Sequence, residues 1–313
     1  MRVSVVVPAF DAEATVGAAV SSVLWQTYRD FEVVVVDDGS RDATGAIASS
    51  FPEPVRVVSQ ENAGVASARN RGIHEAQGDL IAFCDADDVL LPQHLEALVA
   101  VHDRHGGIAT SNCYWLYPGG IHAARTRYKG RFPNPDRQRH AILEQNFVST
   151  MSIFPKALLE EIGPFDTELQ VAEDWDFWLR AIFAGHRVSL QPKPLALYRR
   201  GTGLSVDERR MDEHGEAVLQ KALARDDLSS AERAYVKHRL AGPGPAELGR
   251  KGDDALRARD YGEAARQYRE AAALAPSEPA LVWKARVMHV APRLAGPLVR
   301  ARQVRIERRT GAS

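Results

Sequence analysis

Four short apolar runs punctuate the first 84 residues, and between them apolar positions recur at helical spacing. Val3 to Val7 is a β-branched run that Pro8 is expected to end, because proline has no N–H to give to a sheet ladder. From Ala12 to Gln26, residues Val16, Ala19, Val20, Val23 and Leu24 mark one helical face, with Asp11 placed to cap it. Phe31 to Val36 is an unbroken valine-rich strand, as suits a central place in a parallel sheet. Gly39 then permits a tight turn, and Ser40 can cap a helix over Ala43 to Ser49. Val55 to Val58 is a weaker strand, Gly64 to Ala76 a helix closed by Gly78, and Leu80 to Cys84 a fourth strand. Such regular alternation predicts an α/β fold with a parallel, doubly wound sheet. Neither G-x-G-x-x-G after the first strand nor G-x-x-x-x-G-K-[ST] occurs, which removes the usual dinucleotide fingerprint and the P-loop enzymes.

Beyond Ser205 the strand-like runs stop, and Ala, Arg and Glu dominate an all-α pattern. Gly242-Pro243-Gly244-Pro245 is a breaker. The expected division is residues 1–208, a helical linker 209–244, and a helical region 245–313. Within that last region Leu248, Gly252, Ala264, Tyr268, Ala271 and Pro276 fall at the offsets of one tetratricopeptide repeat, with Asp260-Tyr261-Gly262 as the inter-helix turn. A single repeat cannot bury its face alone, so it must pack on neighbouring helices, the rest of the chain or a protein partner. The tail from Ala285 to Ser313 sets seven arginines against Glu307, interleaved with Val287, Val290, Leu294 and Leu298. It reads either as a helix on an anionic membrane surface or as a solvated terminal helix docked by its apolar stripe.

Composition adds bounds. At 313 residues, 45% apolar and 26% charged, the chain is an ordinary globular protein with ample core. A net charge of −1 gives no reason to expect nucleic acid as a partner. Two cysteines, Cys84 and Cys113, make neither a disulfide framework nor a metal cluster. No apolar stretch is long enough to span a bilayer, and the run before Pro8 and Asp11 is too short for a signal peptide. The expected location is therefore the reducing cytoplasm, with peripheral contact at the inner membrane face if the basic tail binds lipid.

The chemistry lies in the acids. Asp85-Ala86-Asp87-Asp88 follows the fourth strand, at the carboxyl end where open α/β sheets bind ligands. Three carboxylates there repel one another unless a cation or donor-rich ligand meets them, which points to a divalent metal shared with a phosphate. The other reading is a polar turn in which Asp88 caps the following helix. Asp37 and Asp38 end the second strand on the same edge, either as acceptors for a base or sugar or as helix-capping turn residues. Farther on, Glu173-Asp174-Trp175-Asp176 opens an amphipathic helix. Acids in a first turn complement the helix dipole, but an aromatic surround also raises a carboxylate's basicity. Asp166, in the preceding turn, reads as an Asx turn.

Val-Val-Pro-Ala-Phe at 6–10, Val-Asp-Asp-Gly-Ser at 36–40, Ala-Arg-Asn-Arg-Gly at 68–72, Asp85-Ala86-Asp87-Asp88 and Glu173-Asp174 occur in that order. Together they resemble the family-2 glycosyltransferases of the GT-A fold over residues 3 to about 205. The resemblance implies a Rossmann-like, mostly parallel sheet flanked by helices. It also implies transfer of a sugar, with inversion, from a nucleoside-diphosphate-sugar to an acceptor hydroxyl in cell-surface glycan synthesis. Carried onto this chain, Asp38, with Asp37, would accept hydrogen bonds from the base (uracil, for a UDP-sugar), and Pro8 and Phe10 would line its pocket. Asp85 would lie over the ribose and metal, and Asp87 would bind Mg2+ or Mn2+ at the diphosphate. Arg69 and Asn70 would steady the donor. Asp174 would be the base of a hexosyltransferase, with Glu173 beside it, acting on a glycan or lipid-linked acceptor.

One departure concerns metal. Many relatives place a histidine soon after a Tyr-Arg pair; here Tyr198-Arg199-Arg200-Gly201-Thr202-Gly203 has none, and Arg199 or Arg200 could meet the diphosphate instead, or be surface arginines. Trp115, Tyr117, Tyr128 and Phe132 mark residues 111–150 as a strand and lid region, whose aromatics suit sugar rings or plain packing. Two rival readings stand beside the transferase. An aspartate-nucleophile phosphohydrolase would use Asp85 as nucleophile and Asp87 as acid/base, although three strands precede the motif. A helical-repeat scaffold with an inert catalytic domain would have no use for intact acids at 38, 85, 87 and 174.

Overall fold

A computed structural model describes residues 1–128, 130, 132–200, 208–276, 278–290, 297 and 299. The chain divides into two compact units, Met1–Ile142 with Asn146–Val206, and Leu143–Gln145 with Asp207–Ser313. In the first unit β1 (Val3–Ala9), α1 (Val16–Leu24), β2 (Phe31–Asp37), α2 (Thr44–Ser49), β3 (Val55–Ser59), α3 (Val65–Glu75) and β4 (Leu80–Phe83) alternate as the pattern predicts. Then follow β5 (Val89–Leu90), α4 (His94–His105), β6 (Ile108–Tyr117), β7 (Gly120–Thr126), α5 (Gln138–Glu144), β8 (Ser152–Pro155), α6 (Leu158–Ile162), α7 (Glu173–Phe183) and β9 (Val188–Arg199).

The strands form one sheet in the order β3-β2-β1-β4-β8-β6-β9-β5, with β7 paired to β6. β1 runs parallel to β2 and β4, and β2 to β3. β8 is antiparallel to both β4 and β6, so β6 and its parallel neighbour β9 share the direction of β1–β4. Carboxyl ends of β1, β2, β4 and β9 therefore open on one edge, which is where a ligand is received. One face of the sheet buries Val5, Val7, Val33 and Val35 against Val16, Val20 and Val23 of α1. The other face buries Val34 and Val36 with Ala68 of α3. α3 crosses β1 so closely that a side chain at Gly72 would collide with Val6.

Local details differ from the sequence expectations for physical reasons. Pro8 does not end β1; it lies inside the strand, opposite Val36. The Val6 carbonyl accepts from the Cys84 N–H at 3.1 Å, so Pro8, two residues on, turns its nitrogen to the side where β4 has already ended. Asp11 does not cap α1 and Ser40 does not cap α2: Ser40 Oγ instead accepts from the Asp11 N–H at 3.1 Å, while Asp11 accepts from Arg41. α3 ends on Ala76, not Gly78; Gly78 is pressed on β1, where an added Cβ would lie 2.6 Å from the Arg2 carbonyl. Asp88 does not cap α4, whose first turn begins after Gln93. Asp166 does form the expected turn, accepting from Glu168 N–H at 2.9 Å.

The second unit is helical: α8 (Glu208–Leu223), α9 (Ser230–Leu240), α10 (Pro245–Arg257), α11 (Tyr261–Leu274) and α12 (Pro279–Val290). Ser229 and Glu232 close a capping box at the start of α9. Pro245, with its preset φ, opens α10 after the Gly-Pro breaker. α10 and α11 pair through Leu248, Leu256, Ala264, Tyr268 and Ala271, and Gly252 lets the Tyr268 ring approach. Tyr268 donates its hydroxyl to Asp253, which also pairs with Lys284 of α12 at 2.5 Å. The inter-helix turn is Ala258 to Asp260 rather than 260–262, because Asp260 accepts from Glu263 N–H and so starts α11. Most of the basic tail lies outside the described residues, and no helix among those described is long and apolar enough to cross a membrane.

Candidate active site

At the carboxyl edge, the turns after β1 and β2 are laced together by Ser40 and Asp11 and by the Ala12 N–H donating to Thr44 Oγ1 at 2.7 Å. Phe10 stands exposed on the first turn, beside buried Pro8. In the second turn Gly39 has φ +74°, a conformation that favours glycine. Asp37 Oδ1 accepts from Ser40 N–H at 3.0 Å. Asp38 is 3% exposed and turns into the protein: its carboxylate accepts from Gln60 Nε2 at 2.7 Å, Ala63 N at 3.0 Å and Gly64 N at 2.9 Å. Asp38 thereby ties the end of β2 to the start of α3, and Asp37 is the half-buried member of the pair.

The turn after β4 is different in kind. Asp85 is partly exposed and bound to Arg69 Nη2 at 2.9 Å. Burial first, and then the charge of Asp85, push the Asp87 carboxyl up to about 6. Asp88 is 2% exposed; its Oδ1 accepts from Arg199 N–H at 2.8 Å, while Oδ2 has no hydrogen-bond partner among the described residues. Burial and its two acidic neighbours raise its pKa. Arg199, at the end of β9, donates Nε to the Asp87 carbonyl at 2.7 Å. Arg200 lies over the Trp115 ring at 5.1 Å. The sequence offered Arg199 or Arg200 either as a diphosphate ligand or as a surface arginine; in the structure Arg199 Nε meets the backbone of the acidic turn.

Arg69 is the hub. It is buried, and its guanidinium spans Asp85 and Glu173 while lying 5.3 Å from the Phe83 ring. Asn70, next to it, faces elsewhere: its carboxamide exchanges two 2.8 Å hydrogen bonds with the Phe165 peptide. Asn70 also lines a groove of about 660 Å³ with Asp79 and Lys156, at the amino end of β4. Adjacent residues on a helix point about 100° apart, so Asn70 and Arg69 meet different neighbours.

α7 brings the third acidic group. Ala172, just before it, adopts φ +64°, a left-handed backbone that a side chain disfavours. Glu173 is held by Arg69, yet burial, the larger influence, pushes its carboxyl up to about 7. Asp174 keeps part of its surface open. Its Oδ1 accepts from Trp175 N–H at 2.8 Å and its Oδ2 from Asn146 Nδ2 at 2.9 Å. Burial raises its pKa, with Arg69 and Arg127 opposing. Thus Asp85, Glu173 and Asp174 gather around one buried arginine, with Asp87 beside Asp85, whereas Asp38 stands apart in the β2–α3 junction. Sequence reasoning missed Asn146 and Arg127, which no motif flags. The buried fate of Arg69 was signalled by its helix face, shared with Ala66, Gly72 and Ile73.

Among the described residues no three His, Cys, Asp or Glu side chains form a preformed metal cage. Asp85 and Asp87 nevertheless fit a hard divalent cation that takes only one or two protein carboxylates and completes its shell with phosphate and water. The half-buried Asp87, with its raised pKa, is a group that such a charge would relieve.

The chain is similar to several known proteins. The chain is 32% identical to the succinoglycan biosynthesis protein ExoO of Rhizobium meliloti over 229 residues, 69% of this chain and 66% of that protein. Its fold matches S. aureus TarS 1–349, solved with UDP-GlcNAc, at a TM-score of 0.60 and 20% identity over 99% of this chain and 92% of that one. It also matches the Pyrobaculum calidifontis mannosyltransferase PcManGT, solved with GDP-Man and Mn2+, at 0.58 and 20% identity over 96% and 87%. None of these likenesses favours a phosphohydrolase or an inert scaffold. The family model described as Glycosyl transferase family 2 matches residues 4–163, and the chain belongs to that family of glycosyltransferases.

Proposed function

We propose that residues 1–208 form an inverting, metal-dependent hexosyltransferase that takes its sugar from a UDP-sugar and builds a cell-surface glycan. The observation that carries this reading is the meeting of Asp85, Glu173 and Asp174 around Arg69 at the sheet's carboxyl edge, with Asp87 beside Asp85. The glycan-building relative and the nucleotide-sugar complexes of the structural neighbours support the substrate class.

Asp85 and Asp87 would hold Mg2+ or Mn2+, which neutralises charge on the departing diphosphate. Asp37, Phe10 and Pro8 would receive the base, and Asp38 would keep their turn in place through its three hydrogen bonds. Arg199 would fix the acidic turn through the Asp87 carbonyl. Asp174, partly open and raised in basicity by burial, would take the acceptor hydroxyl's proton as its oxygen bonds the anomeric carbon and the bond to diphosphate breaks. One displacement inverts that carbon, and no second nucleophile is required. Arg69 would hold the Glu173 and Asp85 side chains in place beside it. The α10–α11 hairpin is tetratricopeptide-like and suits a protein partner, while the basic tail suits the inner membrane face, where a lipid-linked acceptor would be met. A cytoplasmic location follows from the nucleotide-sugar pool.

Asp174→Asn tests the assignment. It should bind UDP with Mn2+ as the wild type does in calorimetry, while UDP release from a panel of UDP-sugars falls roughly 10²–10⁴-fold. Retained turnover would remove Asp174 from the role of base.

A further inference from the structure

Asp174 does not stand in its helix alone. Asn146, 28 residues earlier, directs Nδ2 at Asp174 Oδ2 across 2.9 Å. The opposite end of that carboxamide is committed, because its Oδ1 accepts from Val148 N–H at 3.1 Å. An amide flip would break both contacts, so the N–H₂ end faces the carboxylate. The loop bearing Asn146 is itself clamped: Arg127 Nη2 donates to the Asn146 and Val148 carbonyls, each at 3.3 Å, and Tyr128 gives its hydroxyl to the Phe147 carbonyl at 2.6 Å. Trp175, next to Asp174, anchors from the other side by donating Nε1 to the Ile142 carbonyl at 2.6 Å.

With Trp175 N–H on Oδ1 and Asn146 on Oδ2, the carboxylate's torsion is fixed from two sides. Each oxygen keeps a lone pair for an incoming hydroxyl. We infer that Asn146 is a positioning residue for sugar transfer: it aims the Asp174 carboxylate at the acceptor and keeps it ionised. This rests on the reading of Asp174 as the base. A hydrogen bond donated to the charged form favours that form, which offsets the burial that would otherwise protonate it. The charged groups facing Asp174 are Glu173 on its own helix, Arg69 from α3, Arg127, the residue that follows β7, and Asp85 from the turn after β4. Asn146 is the neutral donor among them, so its removal changes a hydrogen bond without changing net charge.

The test reads Asp174 directly. In full-length, metal-free protein carrying ¹³C at aspartate carboxyls, the Asp174 resonance is assigned by its loss in Asp174→Asn. Asn146→Leu should raise its titration midpoint by about one pH unit, a tenfold gain in proton affinity. Asn146→Ser, which retains a donor, should give a smaller rise and covers the case in which the leucine variant fails to fold. The acid limb of UDP release from a UDP-sugar should move in the same direction in each variant. An unchanged midpoint in the folded variants overturns the inference even if Asp174→Asn is inactive. A shifted midpoint with an active Asp174→Asn overturns the base assignment instead.

Discussion

Two acidic turns follow β2 and β4, the strands on either side of β1, and their chemistry is opposite. Asp38 and Asp88 are equally buried, at 3% and 2% exposure. Asp38 receives three hydrogen bonds from the protein, including two backbone N–H groups that open α3. Asp88 receives one, and its second oxygen has no partner among the described residues. Beside it Asp87 is raised to about 6 by burial and by Asp85. A carboxylate that the protein satisfies is architecture; a group of carboxylates that it leaves in need of positive charge is prepared for something the protein lacks. Identical residue types at matching positions thus separate into a joint and a receptor.

The sharpest way to break the comparison is Asp38→Ala. It orphans Gln60 Nε2 and the Ala63 and Gly64 N–H groups at the junction of β2 and α3. A loss of about 3 kcal/mol is expected, roughly 6–12 °C in Tm by calorimetry for a unit of this size. If Asp38 instead serves mainly as a ligand, Tm stays within a degree or two and UDP binding alone fails.

Asp87→Asn should act in the reverse direction. Asp87 and Glu173 both hold protons more tightly in the folded protein than in the unfolded chain, at about 6 and about 7 against ordinary values near 4. The folded state therefore binds more protons between about pH 4 and pH 7, and metal-free stability falls as pH rises through that window. Thermal scans should show Tm dropping by a few degrees from pH 5 to pH 7.5. Asp87→Asn should recover part of that drop at pH 7.5 and lose the further gain that Mn2+ with UDP gives the wild type. A flat Tm over this range would mean that Asp87 and Glu173 are solvated as ordinary carboxylates.

The amino-terminal half of the sheet was legible because its signals are local. Valine runs, helical spacing and glycine turns specify β1 to β4 and the helices between them, and parallel order then puts Asp37 and Asp85 on one edge. The insertion of antiparallel β8 between β4 and β6 was not legible, since Ser152–Pro155 has only four residues and its pairing is chosen by packing across the sheet. Asn146 had no signal at all: a lone asparagine in a loop acquires meaning only once α7 is folded against it. The orientation of Asp37 relative to Asp38 was equally hidden, because both satisfy the same motif and only the three donors from residues 60–64 separate them.

Backbone strain separates the β2 turn from the start of α7 with the smallest effect. At the β2 turn positive φ falls on Gly39, at little steric cost, although Asp11 in the neighbouring β1 turn takes φ +45°. Before α7 it falls on Ala172, immediately ahead of Glu173 and Asp174. The left-handed conformation costs a side chain roughly 1–2 kcal/mol, and glycine returns part of that in the unfolded chain's greater freedom. Ala172→Gly should therefore stabilise the protein by up to about 1 kcal/mol, a Tm rise of a few degrees at most. If the strain aims the first turn of α7, the same variant should release UDP from a UDP-sugar more slowly while binding UDP unchanged. A stabilised variant with full turnover would show that Arg69 and Asn146 suffice to hold Glu173 and Asp174 in place.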